Sequence, residues 1–109
     1  MAAAHLEAKG YEIRERNWSA REGEVDIIAA KGDTLVFVEV RSRKGRDLGT
    51  PEESITGRKR EHLLATIAAY LQQNPESPPN HRIDVVVLEL DRKGRVMRVE
   101  QIEGAIDGE

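Results

Sequence analysis

The residues of this 109-residue chain best suited to chemistry are two acids and a base set on adjoining strands. They lie in GEVDIIAAKGDTLVFVEVRSR, Gly23 to Arg43, which reads as two β-strands joined by the turn Lys31-Gly32-Asp33-Thr34. A glycine at the first central position fits a type II′ hairpin turn. With Lys31 facing Thr34, counting back along both strands sets Asp26 opposite Glu39 and Glu24 opposite Arg41. Side chains alternate along a strand, so these four share one face. Directly opposed residues have Cβ atoms roughly 4.5–5.5 Å apart, and like charges at that spacing repel. A bound divalent cation would turn the repulsion into coordination. The solvated face of an antiparallel sheet accounts for the same acids without any site. Against it, Ile28 and Phe37 fall on the acidic face, which suits the edge of a pocket better than open solvent.

The elements that must position these residues follow from periodicity and punctuation. Residues 2–9 read as a short Ala-rich helix stopped by Gly10. Tyr11 to Trp18 reads as a strand with Tyr11, Ile13 and Glu15 on one face, and Trp18 opens a polar link over Ser19 to Gly23. Thr50-Pro51-Glu52-Glu53 carries helix-start chemistry: a Thr cap, Pro at the first helical position and Glu completing a capping box. Gly57 is expected to kink or interrupt that helix. Leu63, Leu64, Ile67, Ala68, Tyr70 and Leu71 then recur at helical spacing as an apolar stripe. Lys59 precedes Leu63 by one turn, so it points along the stripe toward the sheet. NPESPPNH, Asn74 to His81, is a surface loop. Arg82 to Leu90 is apolar on both faces and reads as a central strand, with Asp84 near its start. Asp91 to Gly94 makes a turn, and Val96 to Ile102 reads as an edge strand. Residues 1–109 form a single α/β domain, a mixed and largely antiparallel sheet flanked by helices.

Composition narrows the function classes. Apolar residues make up 39% and charged residues 34%, polar for a globular chain yet too well patterned for disorder. The absence of cysteine excludes disulfides and thiolate–metal sites. His5, His62 and His81 are scattered without zinc spacing, and His62 reads as a solvated helix residue. No signal peptide or membrane span is evident, so no membrane partner and a cytoplasmic location are expected. A net charge of −3 argues against a generic basic DNA-coating protein. Two local basic runs stand out nonetheless: Arg41, Arg43, Lys44 and Arg46 past the acids, and Arg58, Lys59 and Arg60 on the long helix. They could grip phosphates on either side of a metal, or be ordinary solvated surface.

G-E-x-D-x-I followed after a short turn by V-F-V-E-V-R resembles the PD-(D/E)xK nuclease superfamily, with its restriction-endonuclease-like core. More narrowly the chain resembles the YraN family of small bacterial endonuclease-like proteins, through GYEIRERNW, GTPEESIT…K and RIDVVV in the same order. The resemblance implies a nuclease for DNA, branched or damaged DNA included. It implies Mg²⁺ or Mn²⁺ held by Asp26, Glu39 and the backbone carbonyl of Val40, and it adds homodimerisation, since many related nucleases cut as dimers. Arg41 stands where the superfamily usually has Lys. Lysine can shift its pKa and activate water, whereas arginine stays charged and cannot act as a base. The resemblance also implies a Gly-Glu pair in the first helix, and this chain begins past it; Glu7 is not its equivalent.

The expected catalytic set is therefore Asp26, Glu39, Arg41 and Glu24, with Arg41, Arg43, Lys44, Arg46 and Lys59 contacting nucleic acid. The alternative is a nuclease fold that has lost catalysis and binds nucleic acid or protein.

Overall fold

The computed structural model describes residues 1–44 and 57–106. Their elements run α1 (Ala2–Ala8), β1 (Glu12–Ala20), β2 (Gly23–Lys31), β3 (Thr34–Lys44), α2 (Gly57–Gln73), β4 (Asn80–Leu90) and β5 (Val96–Ile106). The strands form one five-stranded sheet in the order β1-β2-β3-β4-β5. Only β3 and β4 pair in parallel; the other neighbours are antiparallel. A parallel pair needs a crossover connection, and α2 lies within it. This is the α/β architecture expected from the sequence, a mixed sheet flanked by two helices and consistent with a restriction-endonuclease-like core.

Each helix covers one face of the sheet. On the α2 side, Leu63, Ile67 and Tyr70 bury against Val25, Ile28, Leu35, Phe37, Val85 and Val87. On the α1 side, Ala2 and Leu6 bury with Tyr11, Ile27, Ala29, Val36, Val38 and Val86. Strands β3 and β4 are apolar on both faces because both faces are covered. Gly10, at φ +92°, ends α1, and Tyr11 N donates to Leu6 O at 3.0 Å in the turn. Gly57 is the first described residue of α2, which runs from it to Gln73, so the expected break between Thr50 and Gly57 falls on residues outside the described ones. The Thr50-Pro51-Glu52-Glu53 helix start and Arg46 lie outside the described residues.

Two expectations for β1 need correction. The strand continues through Trp18 to Ala20, with Ser19 paired to Glu24, in place of the polar link. The reason is the indole: Trp18 packs on the α2-side core and stands edge-on to Tyr70, ring centroids 5.2 Å apart. Glu15 also leaves the face of Tyr11 and Ile13, because a bulge between Ile13 and Glu15 shifts the register and sets Glu15 opposite Ile28. The last strand lies at the edge as expected but runs on to Ile106, which pairs with Ile83 and is buried.

Asp84 is fully buried in β4 and gathers the α1 side together. Its Oδ1 accepts from Arg82 Nε and from Gly104 N, each at 2.9 Å. Its Oδ2 accepts from Gln101 Nε2 at 2.8 Å and Arg82 Nη2 at 3.1 Å. Arg82 Nη2 also donates to the Tyr11 hydroxyl at 2.6 Å. A carboxylate taken this far from water is tolerable only when paired and fully hydrogen-bonded. Replacing Asp84 by Ala strands the guanidinium and the Gly104 N–H, so urea denaturation should show a loss of about 3–5 kcal/mol. A loss under about 1 kcal/mol would mean that the network is not what holds β5 to the sheet.

Candidate functional site

The site begins with the hairpin. Gly32 has φ +60°, while Asn17 is the sole non-glycine with positive φ among the described residues, so Asp33 keeps a negative φ and the turn is type II′. The register then runs as expected through Lys31↔Thr34, Ala30↔Leu35, Ala29↔Val36, Ile28↔Phe37 and Ile27↔Val38. It stops there, one pair short of the acids. The next bond of an unbroken ladder would join Val40 N to the carbonyl of Val25. Instead Val40 N donates to Asp26 Oδ2 at 2.8 Å.

The interruption has a visible cause in the side-chain pattern. Val25 and Ile28, three residues apart, both pack in the α2-side core, which strict alternation forbids. Ile27 packs on the α1 side. β2 therefore changes face at Asp26. β1 turns with it: Trp18↔Val25 and Arg16↔Ile27 flank Asn17, whose φ is +52°. Asparagine tolerates this left-handed conformation better than most residues.

This turn corrects the expected placement of the four site residues. Glu24, Glu39 and Arg41 line one cleft of about 260 Å³ beside α2, together with Gly23, Arg58, Lys59, His62 and Leu63. Asp26 opens onto a depression on the α1 side, beside Asn17, Ile27 and Val40. It is still electrically coupled to Glu39. The Glu39 carboxyl is pushed up to about 7, first by burial and next by the Asp26 charge, with Glu24 adding to the rise. Arg41 and Lys59 oppose it. Arg41 Nη2 stands 3.5 Å from Glu39 Oε2, and the two side chains retain 28% and 12% of their exposure. Arg41 Nε is buried and has no hydrogen-bond acceptor among the described residues.

The basic run past Glu39 divides. Arg41 enters the cleft. Arg43 is held by Glu89, its cross-strand neighbour on β4, and Glu89 also lies 3.9 Å from Arg98 Nε. Lys44 lines a separate depression with Leu90, Asp91 and Met97. Lys59 comes to the cleft as its spacing from Leu63 implied, with Arg58 next to it. His62 is exposed on the helix, as expected, and also borders the cleft. Its position three residues after Lys59 sets both on one side of the helix.

Gly23 lets α2 come this close. A Cβ there would sit 2.9 Å from Thr66 Oγ1, at a φ of +156°. Thr66 in turn donates to His62 O at 2.7 Å within α2, so its hydroxyl is satisfied inside the helix.

The donor set fits a hard cation. Mg²⁺ is usually held by one or two carboxylates, with waters and substrate oxygens completing its shell. Asp26 and Glu39 would provide two carboxylates from either side of the β2–β3 divergence, electrically coupled to each other, although burial is the first cause of the raised Glu39 pKa. Among the described residues, no group of three or more His, Asp or Glu side chains forms a ready-made cage. No helix among them is long and apolar enough to cross a membrane.

Comparison with known proteins places this geometry in a sequence family. A family model described as "Uncharacterised protein family UPF0102" matches residues 1–88. The chain is similar to a UPF0102 protein of Moorella thermoacetica, 48% identical over 104 residues, which cover 95% of this chain and 87% of the relative. A UPF0102 protein of Pelotomaculum thermopropionicum is 45% identical over the same shares. One from Roseiflexus castenholzii is 42% identical over 98% of this chain and 87% of the relative.

The state of Glu39 leaves a signature in stability. Its carboxyl titrates near 7 when folded against 4.5 in the unfolded chain, so within that window the native state holds a proton that the unfolded state has released. Stability must therefore fall as pH rises from about 4.5 to 7 and level off above. Glu39→Gln should cancel this component. It should leave stability near wild type at pH 4 and raise it at pH 8, by on the order of 2–3 kcal/mol. Urea denaturation of both proteins across that range checks it; parallel curves would mean that Glu39 is not protonated in the native state.

Proposed function

We propose that this chain, which belongs to the uncharacterised protein family UPF0102, is a metal-dependent nuclease that hydrolyses DNA phosphodiester bonds. The observation that carries this reading is Glu39: a carboxylate sunk in a cleft, raised in pKa by burial and by Asp26, with cationic side chains around the same opening. Asp26 and Glu39 would hold Mg²⁺ or Mn²⁺, with the Val40 carbonyl as the backbone donor. A bound metal of this kind acidifies water and stabilises charge on phosphate.

The chain's own groups divide the remaining work. Val40 N fixes Asp26 by holding one carboxylate oxygen, which leaves the other for the metal. Arg41 cannot act as a base, so its part is to neutralise the phosphate. Lys59 and Arg58 line the same cleft and would hold the neighbouring backbone phosphates. Glu24 sits at the rim, where it would act through a water.

The second reading is a nuclease fold that binds nucleic acid or protein without cutting. It is favoured by the ion pair that ties Arg41 to Glu39 at the position where superfamily members usually carry a lysine.

Incubation of nicked, branched, single-stranded and duplex DNA with Mn²⁺ and with EDTA separates the two. Metal-dependent cutting is expected, reduced about a hundredfold or more in Asp26→Ala and Glu39→Gln, the scale of losing a group that organises transition-state charge. Binding should weaken steeply with salt as counterions are released. Binding without cutting on every substrate would favour the second reading. Neither binding nor cutting at low salt would remove both.

A further inference from the structure

The buried end of Arg41 is unexplained by the ion pair it makes. Its Nη2 reaches Glu39 Oε2 at 3.5 Å, beyond a good charge-assisted hydrogen bond. Its Nε is buried and donates to nothing among the described residues. A buried donor without an acceptor costs free energy, so a guanidinium is seldom kept this way unless another partner completes it. The opening next to it is lined by Arg58, Lys59 and His62, a setting that suits an anionic oxygen.

From this pair we propose that the Arg41 guanidinium is a stand-in cation on Glu39, displaced when a divalent metal binds there and thereby released to a phosphate oxygen. The inference rests on the proposed metal-dependent nuclease reading and adds its regulation. Metal and nucleic acid would then bind with positive coupling through one side chain. Metal frees the guanidinium, and phosphate draws it from Glu39, so each ligand removes the other's competitor. Without metal the acid stays partly neutralised, and the phosphate-binding group stays occupied.

The test is calorimetric titration of the full chain with MnCl₂ alone, at pH 8 and low salt, for wild type, Arg41→Gln, Lys59→Gln and Glu39→Gln, each checked for a cooperative thermal transition. Arg41→Gln should bind Mn²⁺ about two- to fivefold more tightly, the scale of removing one half-exposed ion pair. Lys59→Gln, which removes an equal charge from the same cleft, should change affinity distinctly less. Equal effects of the two substitutions would reduce Arg41 to a general field and overturn the exchange. So would an Arg41→Gln affinity at or below wild type. If Glu39→Gln binds Mn²⁺ as wild type does, the metal reading fails and the exchange fails with it; if only Glu39→Gln loses binding while Arg41→Gln is unchanged, the exchange alone fails. A second arm uses Arg41→Lys, which keeps the charge, and a fluorescent single-stranded oligonucleotide with Ca²⁺, to prevent cutting. Ca²⁺ should strengthen oligonucleotide binding to wild type and Arg41→Lys and do so less in Arg41→Gln. Equal strengthening in all three would count against the release of Arg41 to phosphate.

Discussion

The hydrogen bond from Val40 N to Asp26 Oδ2 is the contact around which the candidate site is organised. A strand ladder is self-perpetuating: each pair positions the next, and two strands as apolar as β2 and β3 would be expected to stay zipped. Asp26 ends the zipper by supplying from a side chain what the next backbone carbonyl would have supplied. The bond satisfies the Val40 N–H, which would otherwise lose its acceptor where the ladder stops. The two strands can then go separate ways, β2 changing face with β1 while β3 continues along β4. Glu39 is left at the mouth of the divergence, partly enclosed by protein and paired with Arg41.

Much of this was legible in the sequence, and what was not has a specific cause. Gly32 followed by Asp33 fixed the turn type, and the turn fixed the register, which holds through Ile27 and Val38. The apolar stripe on α2 and the two-sided strand β4 declared their places because their periods are unambiguous. The placement of Asp26 was not legible. Strict alternation put it with Glu39, and only the shared burial of Val25 and Ile28 reveals the change of face. A bulge at Ile13/Glu15 inverted the later assignments on β1, and the change of face at Asn17/Asp26, made by both strands together without loss of register, defeated strict alternation on β2. Trp18 was misjudged for a related reason: polar neighbours on both sides hid one large side chain whose burial extends the strand. His62 is solvent-exposed as read, and only its place beside the cleft needed the fold.

The two faces of the sheet divide their tasks. The α1 side is closed by a polar knot in which Asp84 binds β4 to β5 and, through Arg82, to Tyr11 at the start of β1. Lys31 adds to this side by lying 5.0 Å above the Tyr11 ring. The α2 side is closed by apolar packing, with Phe37, Tyr70 and Trp18 in edge-on contact. The cleft lies at one end of that apolar packing, where Leu63 gives way to Lys59 and Arg58. Aromatic packing holds the helix rigidly behind the charged end, and the close approach at Gly23 sets its depth.

The order of the chain gives this arrangement a history. Strands β2 and β3 are joined by two residues, and such hairpins close in about 1–10 μs. The parallel pairing of β3 with β4 has to wait for the crossover and α2, and residues such as Arg43 and Glu89 meet across a separation of 46 positions. Asp26, Glu39 and Glu24 therefore come together early, before Lys59 and Arg58 arrive with the helix. The nascent hairpin already carries Lys31, Arg41, Arg43 and Lys44 beside Glu24, Asp26, Asp33 and Glu39, so charge is balanced within it before the helix docks through its apolar stripe.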